Sequence, residues 1–135
     1  MTIKIGELAT RTECGVGTIR FYEKEGLLPE PLRSDGNFRL YGEPHIERLR
    51  FIRHCRSLDM TLDEVRTLLH FRDTPDEGCS DINTLLDTHI RQVDMRMAEL
   101  VQLKSHLTAL RDMCPGTSNA GECGILQGLN DCSCH

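Results

Sequence analysis

The sequence predicts a mostly α fold in three parts: a winged helix-turn-helix head, a long coiled-coil helix and a short cysteine-bearing tail. Three observations predict it. Two short amphipathic stretches precede a Pro-bounded turn segment near the N-terminus. A heptad-spaced apolar series runs from Leu86 to Leu107. Pro115-Gly116 then closes that series before a Gly-rich end. The boundaries read as 1–75 for the head, 76–113 for the long helix with its preceding loop, and 114–135 for the tail.

Residues 5–24 read as two short helices. Ile5, Leu8 and Ala9 repeat at helical spacing, TECGVG interrupts, and TIRFYEKEG resumes until Gly26 stops it. These residues alone fit a helix-turn-helix or another small helical hairpin. Pro29 and Pro31 forbid a further helix, and Asp35-Gly36 suits a turn that needs positive φ. A ribbon carrying Arg33, Arg39 and Tyr41 after such a helix pair reads as a wing with cations placed for a DNA backbone; a plain solvated hairpin is the alternative. Pro44 suits the first turn of a helix over HIERLRFIRHCRSL. Ile46, Leu49, Ile52 and Leu58 form its expected buried stripe, which Cys55 joins. Arg48, Arg50, Arg53 and Arg56 fall largely elsewhere around it. Thr61 and Glu64 make a capping box for LDEVRTLLHF.

Ser80 is expected to cap a helix that runs to about Met113. Leu86, Val93, Leu100 and Leu107 are seven apart, with Ile90, Met97 and Lys104 at the alternate seam position. Such a helix is about 50 Å long at 1.5 Å per residue. It cannot bury its stripe on so small a head, so the expected partner is a second copy, in a homodimer.

The 135 residues carry a net charge of −5, which argues against indiscriminate nucleic-acid binding. The charge is uneven. Residues 1–74 hold 12 Lys+Arg and 12 Asp+Glu, whereas residues 75–135 hold 4 and 9. A neutral head with six Arg against three acids over 33–56 can still touch phosphates. The N-terminus lacks a signal-peptide run and no stretch approaches membrane-spanning length. The expected location is cytoplasmic, where thiols stay reduced. No nucleophile–base pair or cofactor loop stands out, so an enzyme is not expected.

Seven cysteines are an odd number for a disulfide framework, so metal binding or redox sensing is their leading use, with inert packing the alternative. Cys79 lies just before the long helix and Cys114 just after it. One straight helix keeps them about 50 Å apart. They can share a metal only if two chains run antiparallel, so that Cys79 of one subunit meets Cys114 of the other. Cys123 can curl back to join them across PGTSNAGE. Three thiolates select soft cations. Trigonal thiolate coordination suits Pb(II) and also Hg(II); Cd(II) prefers a fourth donor such as water, Cys132 or Cys134, and structural Zn(II) sites usually take four. Cys132 and Cys134 form an auxiliary pair for metal, for a disulfide or for scavenging. Cys14 and Cys55 read as core or bystander thiols.

The motifs IGELA, TIRFYEKEGLLPEP, RSDGNFRLY and LRFIRHCRSLDMTLDEVRTLL together resemble the MerR family of metal-responsive transcription activators, essentially end to end. Cys79, Cys114 and Cys123 match the metal positions of the branch that answers lead and cadmium, and CGILQGL with a terminal Cys-x-Cys is most similar to its lead-responsive members. The resemblance implies an antiparallel coiled-coil dimer on a promoter pseudo-palindrome. Metal binding would change the angle between heads, and the deformed DNA would align its elements for RNA polymerase. It also implies a recognition helix with Thr18, Arg20 and Tyr22, and a wing with Arg33, Asn37, Arg39 and Tyr41; for Tyr22 and Tyr41 a place partly in the core is the alternative. Two other classes remain open on the residues: a redox regulator using Cys114, Cys123, Cys132 or Cys134, and a metal-sequestering protein.

Overall fold

The computed structural model describes residues 1–116 and 119–130. It divides into two compact units, Met1–Leu85 and Leu86–His135. In the first, α1 (Ile5–Thr12) packs on α2 (Val16–Lys24) and on α3 (Glu43–Ser57), and α3 packs on α4 (Leu62–Asp73). Between α2 and α3 lies an antiparallel pair, β1 (Leu32–Arg33) with β2 (Arg39–Leu40), in register Leu32 to Leu40 and Arg33 to Arg39. This is the expected winged head. α5 (Ser80–Asp112) is one unbroken helix that crosses the division between units. A 3-10 turn at Ala120–Glu122 leads into α6 (Gly124–Asn130). Among the described residues no helix is long and apolar enough to cross a membrane.

Local chemistry explains the ends of the head helices. α2 stops at Gly26, which has φ of 76°. Gly26 N–H bonds to Glu23 O at 3.1 Å and Leu27 N–H to Tyr22 O at 2.9 Å. That is a Schellman closure, and the left-handed residue it needs is best supplied by glycine. α4 opens with the predicted box: Glu64 N–H bonds to Thr61 Oγ1 at 3.1 Å, and Thr61 N–H to Glu64 Oε1 at 2.9 Å. α3 starts with Pro44 in its first turn. His45 is buried and bridges two segments there. Its Nδ1 accepts Gly42 N–H at 3.0 Å, so its Nε2 carries the proton and donates to Pro29 O at 3.2 Å.

The head closes over a largely aliphatic core that includes Leu8, Ile19, Leu27, Leu49, Ile52, Val65 and Leu69, together with the fully buried Tyr41. Each such side chain contributes about 1.5–3 kcal/mol on burial. Cys55 lies inside this core and Cys14 packs half-buried against it. Burial pushes the Cys55 thiol pKa up.

Four expectations need correction. The left-handed residue of the wing turn is Asn37, with φ of 64°, rather than Gly36. Ser34 N–H pairs with Phe38 O at 2.8 Å, so the loop has three residues and its last one takes positive φ, as such loops do. Leu58 is exposed, because α3 ends at Ser57 and the chain turns there. Ser80 is already helical. Cys79 holds the cap position, since its carbonyl accepts Asn83 N–H at 3.1 Å. Arg48 does not face away from the core. It is mostly buried, donating from Nε to Leu27 O at 2.6 Å and pairing with Asp73 at 2.9 Å. That hydrogen bond holds the Asp73 carboxyl below its ordinary pKa.

Candidate functional site

The head carries a cationic groove. Arg20 of α2 lines it with Arg33, Asn37 and Arg39 of the wing, over a volume of about 500 Å³. A neighbouring groove continues past Lys24 and Glu23. Asn37 holds the wing tip through its left-handed backbone, and Arg33 Nη1 donates to its carbonyl at 3.2 Å. Arg39 reaches Glu23 at 3.4 Å. Arg20 and Arg33 make no ion pair among the described residues. Thr18 is exposed near the start of α2 but does not line this groove.

Of the two readings open for Tyr22 and Tyr41, DNA face or core, their burial favours the core. Tyr22 is buried, and Tyr41 is fully so. An aromatic ring contributes more in a packed core than in water, and the Tyr41 hydroxyl finds its partner inside, on Glu23. Both tyrosines support the groove without facing it. Lys4 was missed: its Nζ stands 4.9 Å from the Phe38 ring centroid, and it lines the groove. A lone lysine before α1 carries no sequence signal. The bridge between Ile3 and Tyr41 and its own contact with Phe38 bring it to the wing.

Much of the expected positive charge on α3 is spent internally. Arg48 pairs with Asp73, Arg53 with Glu13 at 3.0 Å, and Arg56 donates to Met60 O at 2.6 Å. The basic surface over 33–56 is narrower than its arginine count implies.

The second unit brings two of the predicted ligands together. Cys123 caps α6, its carbonyl accepting Gln127 N–H at 3.1 Å. Its thiol is influenced by the Leu126 and Ile125 backbone N–H groups and by the Cys114 thiol. The Leu126 N–H is the largest of these influences, then the Cys114 thiol, then the Ile125 N–H, and together they lower the Cys123 pKa. Cys123 should therefore be alkylated by iodoacetamide at a pH below the usual thiol range. Cys114→Ala should move that profile back upward. Peptide-resolved mass spectrometry across pH checks both.

A glycine makes this pairing. A Cβ on Gly124 would run into the Met113 carbonyl oxygen and stand 3.1 Å from Met113 Cβ. At Gly128 it would meet Met113 Sδ at 3.0 Å. The start of α6 can lie against the end of α5 only because no side chain intervenes. Gly124→Ala should cost about 1–3 kcal/mol of strain and slow Cys114–Cys123 cross-linking by a short bifunctional thiol reagent. The head's thermal midpoint should not change.

Cys79 is exposed at the cap of α5. Among the described residues no three His, Cys, Asp or Glu side chains converge within one chain. Cys132 and Cys134 lie outside the described residues.

Comparison with known proteins places these features. Residues 3–71 match the family described as MerR HTH family regulatory protein, and residues 46–110 match MerR, DNA binding. The chain is 46% identical over 110 residues to an HTH-type transcriptional regulator ZntR homolog of Haemophilus influenzae, covering 82% of each chain. It superposes on PbrR691 from Ralstonia metallidurans CH34, solved in complex with lead(II), with TM-score 0.85 and 55% identity, covering 94% of this chain and 98% of that one. Bacillus megaterium MerR, solved with mercury(II), gives TM-score 0.72 and 27% identity, with coverage of 95% and 99%. These relatives are transcriptional regulators, not enzymes. The chain belongs to the MerR family of helix-turn-helix transcriptional regulators and groups with its metal-responsive members.

Proposed function

We propose that this chain is a Pb(II)-responsive transcriptional activator that binds promoter DNA as an antiparallel homodimer. Each metal would be held by Cys79 of one subunit with Cys114 and Cys123 of the other. The observation that carries this reading is the start of α6 lying against the end of α5, which sets two soft donors, Cys114 and Cys123, near each other, with the Cys123 pKa lowered in part by the Cys114 thiol. A thiolate-rich donor set fits a thiophilic cation and disfavours calcium or magnesium. Bound metal would supply a cross-link between subunits, favouring one of two arrangements of the dimer. Arg20, Arg33 and Arg39 would hold phosphates and orient the heads. RNA polymerase is the proposed beneficiary of the altered promoter.

The test is transcription from the chain's own promoter with Pb(II), Cd(II), Hg(II) and Zn(II) in competition, read together with thiolate-to-metal absorption bands. Pb(II) should activate at the lowest free concentration, with bands indicating three sulfurs. Activation by Zn(II) at equal free concentration would contradict the assignment. A second reading is a redox regulator, favoured by the influence of the Cys114 thiol on Cys123. Activation by oxidant with no metal present would decide for it.

A further inference from the structure

Glu23 is one of two acids, with Glu30, in a groove that also carries four cations. It lines that groove with Arg20, Lys24, Arg33 and Arg39, where a carboxylate opposes an incoming anion. Its side chain is only 13% exposed, and both of its oxygens are engaged. Oε1 accepts the Tyr41 hydroxyl, and Oε2 accepts Arg39 Nη1 at 3.4 Å. Tyr41 is itself anchored. Its main chain pairs with Ile3 in both directions at 2.8 Å, and its ring is fully buried. Burial, and then the bond to Glu23, push the Tyr41 hydroxyl pKa up to about 12, which keeps its proton available for donation. Glu23 thus joins α2 to a fixed point at the base of the wing and holds one wing arginine beside it.

We propose that Glu23 is a positioning residue for DNA binding: it sets the wing, and Arg39 on it, against the recognition helix α2. The inference rests on the reading of the head as the DNA-binding part. Removing Glu23 has two opposed consequences. Relief of repulsion strengthens binding to any duplex and steepens its salt dependence. Loss of the wing tether weakens binding only where both elements must engage in register. The tether dominates for the cognate site, because a hydrogen bond to a charged partner is worth about tenfold or more in binding.

The experiment uses the full chain and the duplex that it selects from a random library, with an unrelated duplex as reference. Affinities are measured over a salt series for Glu23→Ala, Glu23→Gln, Tyr41→Phe and the Glu23→Ala/Tyr41→Phe double variant. Glu23→Ala should lose about tenfold on the selected duplex and bind the unrelated one more tightly than the parent does. Tyr41→Phe should lose in the same direction, and the double variant should be no worse than Glu23→Ala, since both break one link. Glu23→Gln keeps an acceptor for the hydroxyl, so it should retain most of the selective affinity while binding unrelated DNA more tightly. Selective affinity in Glu23→Ala equal to or above that of the parent overturns the proposal, as does full additivity with Tyr41→Phe. Should Glu23→Ala not fold, undiminished selectivity in Tyr41→Phe overturns it equally. A parent that selects no duplex at all would instead remove the DNA-binding function itself.

Discussion

Cys79→Ser and Cys114→Ser homodimers should each lose the lead response, while operator affinity stays close to that of the parent. Loss of a direct ligand should weaken Pb(II) binding by at least about 100-fold, the upper end of what changing only an outer partner does. A mixed dimer of the two variants should recover a single site. One of its pockets lacks both altered sulfurs, and the other keeps Cys79 from one subunit with Cys114 and Cys123 from its partner. Co-expressed, differently tagged chains purified as heterodimers should bind one Pb(II), and each homodimer none at the same free metal concentration. A silent heterodimer would mean that the thiolates do not cross the subunit boundary.

Leu100→Asp should give a monomer that no longer protects operator DNA. Leu86, Ile90, Val93, Met97, Leu100 and Leu107 are each 38% to 59% exposed in the single chain, and no residue of α5 is buried. So continuous an apolar series calls for cover. Covering one leucine is worth about 1.5–3 kcal/mol. Twofold symmetry counts the change twice, so the dimer dissociation constant should rise by roughly 10²- to 10⁴-fold. Lys104→Leu should act in the opposite direction, because it fills the one polar position of the seam. Sedimentation equilibrium over a dilution series measures both. Unchanged dimerisation in Leu100→Asp would place the interface on another face of α5.

The elements visible in the sequence share a feature. The Gly26 stop, the Pro44 start, the Thr61–Glu64 box and the heptads of α5 each depend on residues within a turn or two of one another. Local sterics and periodicity therefore announce them without knowledge of the rest of the chain. The cap of α5 moved by only one residue, from Ser80 to Cys79, within the usual uncertainty of helix ends. Family membership was legible for the same reason, since it rests on contiguous motifs.

What sequence could not express are contacts between distant residues. Glu23 meets Arg39 and Tyr41 across 16 and 18 positions, and that meeting turns Tyr41 into a core residue and Glu23 into a wing tether. Arg48 reaches Asp73 across 25 positions, which removes it from the expected cationic surface. Lys4 joins the groove through the pairing of Ile3 with Tyr41 and its contact with Phe38.

By itself, then, the sequence determined the kind of protein: its helices and where they start and stop, its wing, its unpaired apolar seam and its supply of thiols. Tertiary structure alone decided which arginines are held in ion pairs, which tyrosines are interior, and that Gly124 lets α6 set Cys123 beside Cys114. The reason is physical. Helix ends and periodicities are governed by the few neighbours of each residue, whereas burial, charge pairing and thiolate stabilisation are governed by whatever folding brings near.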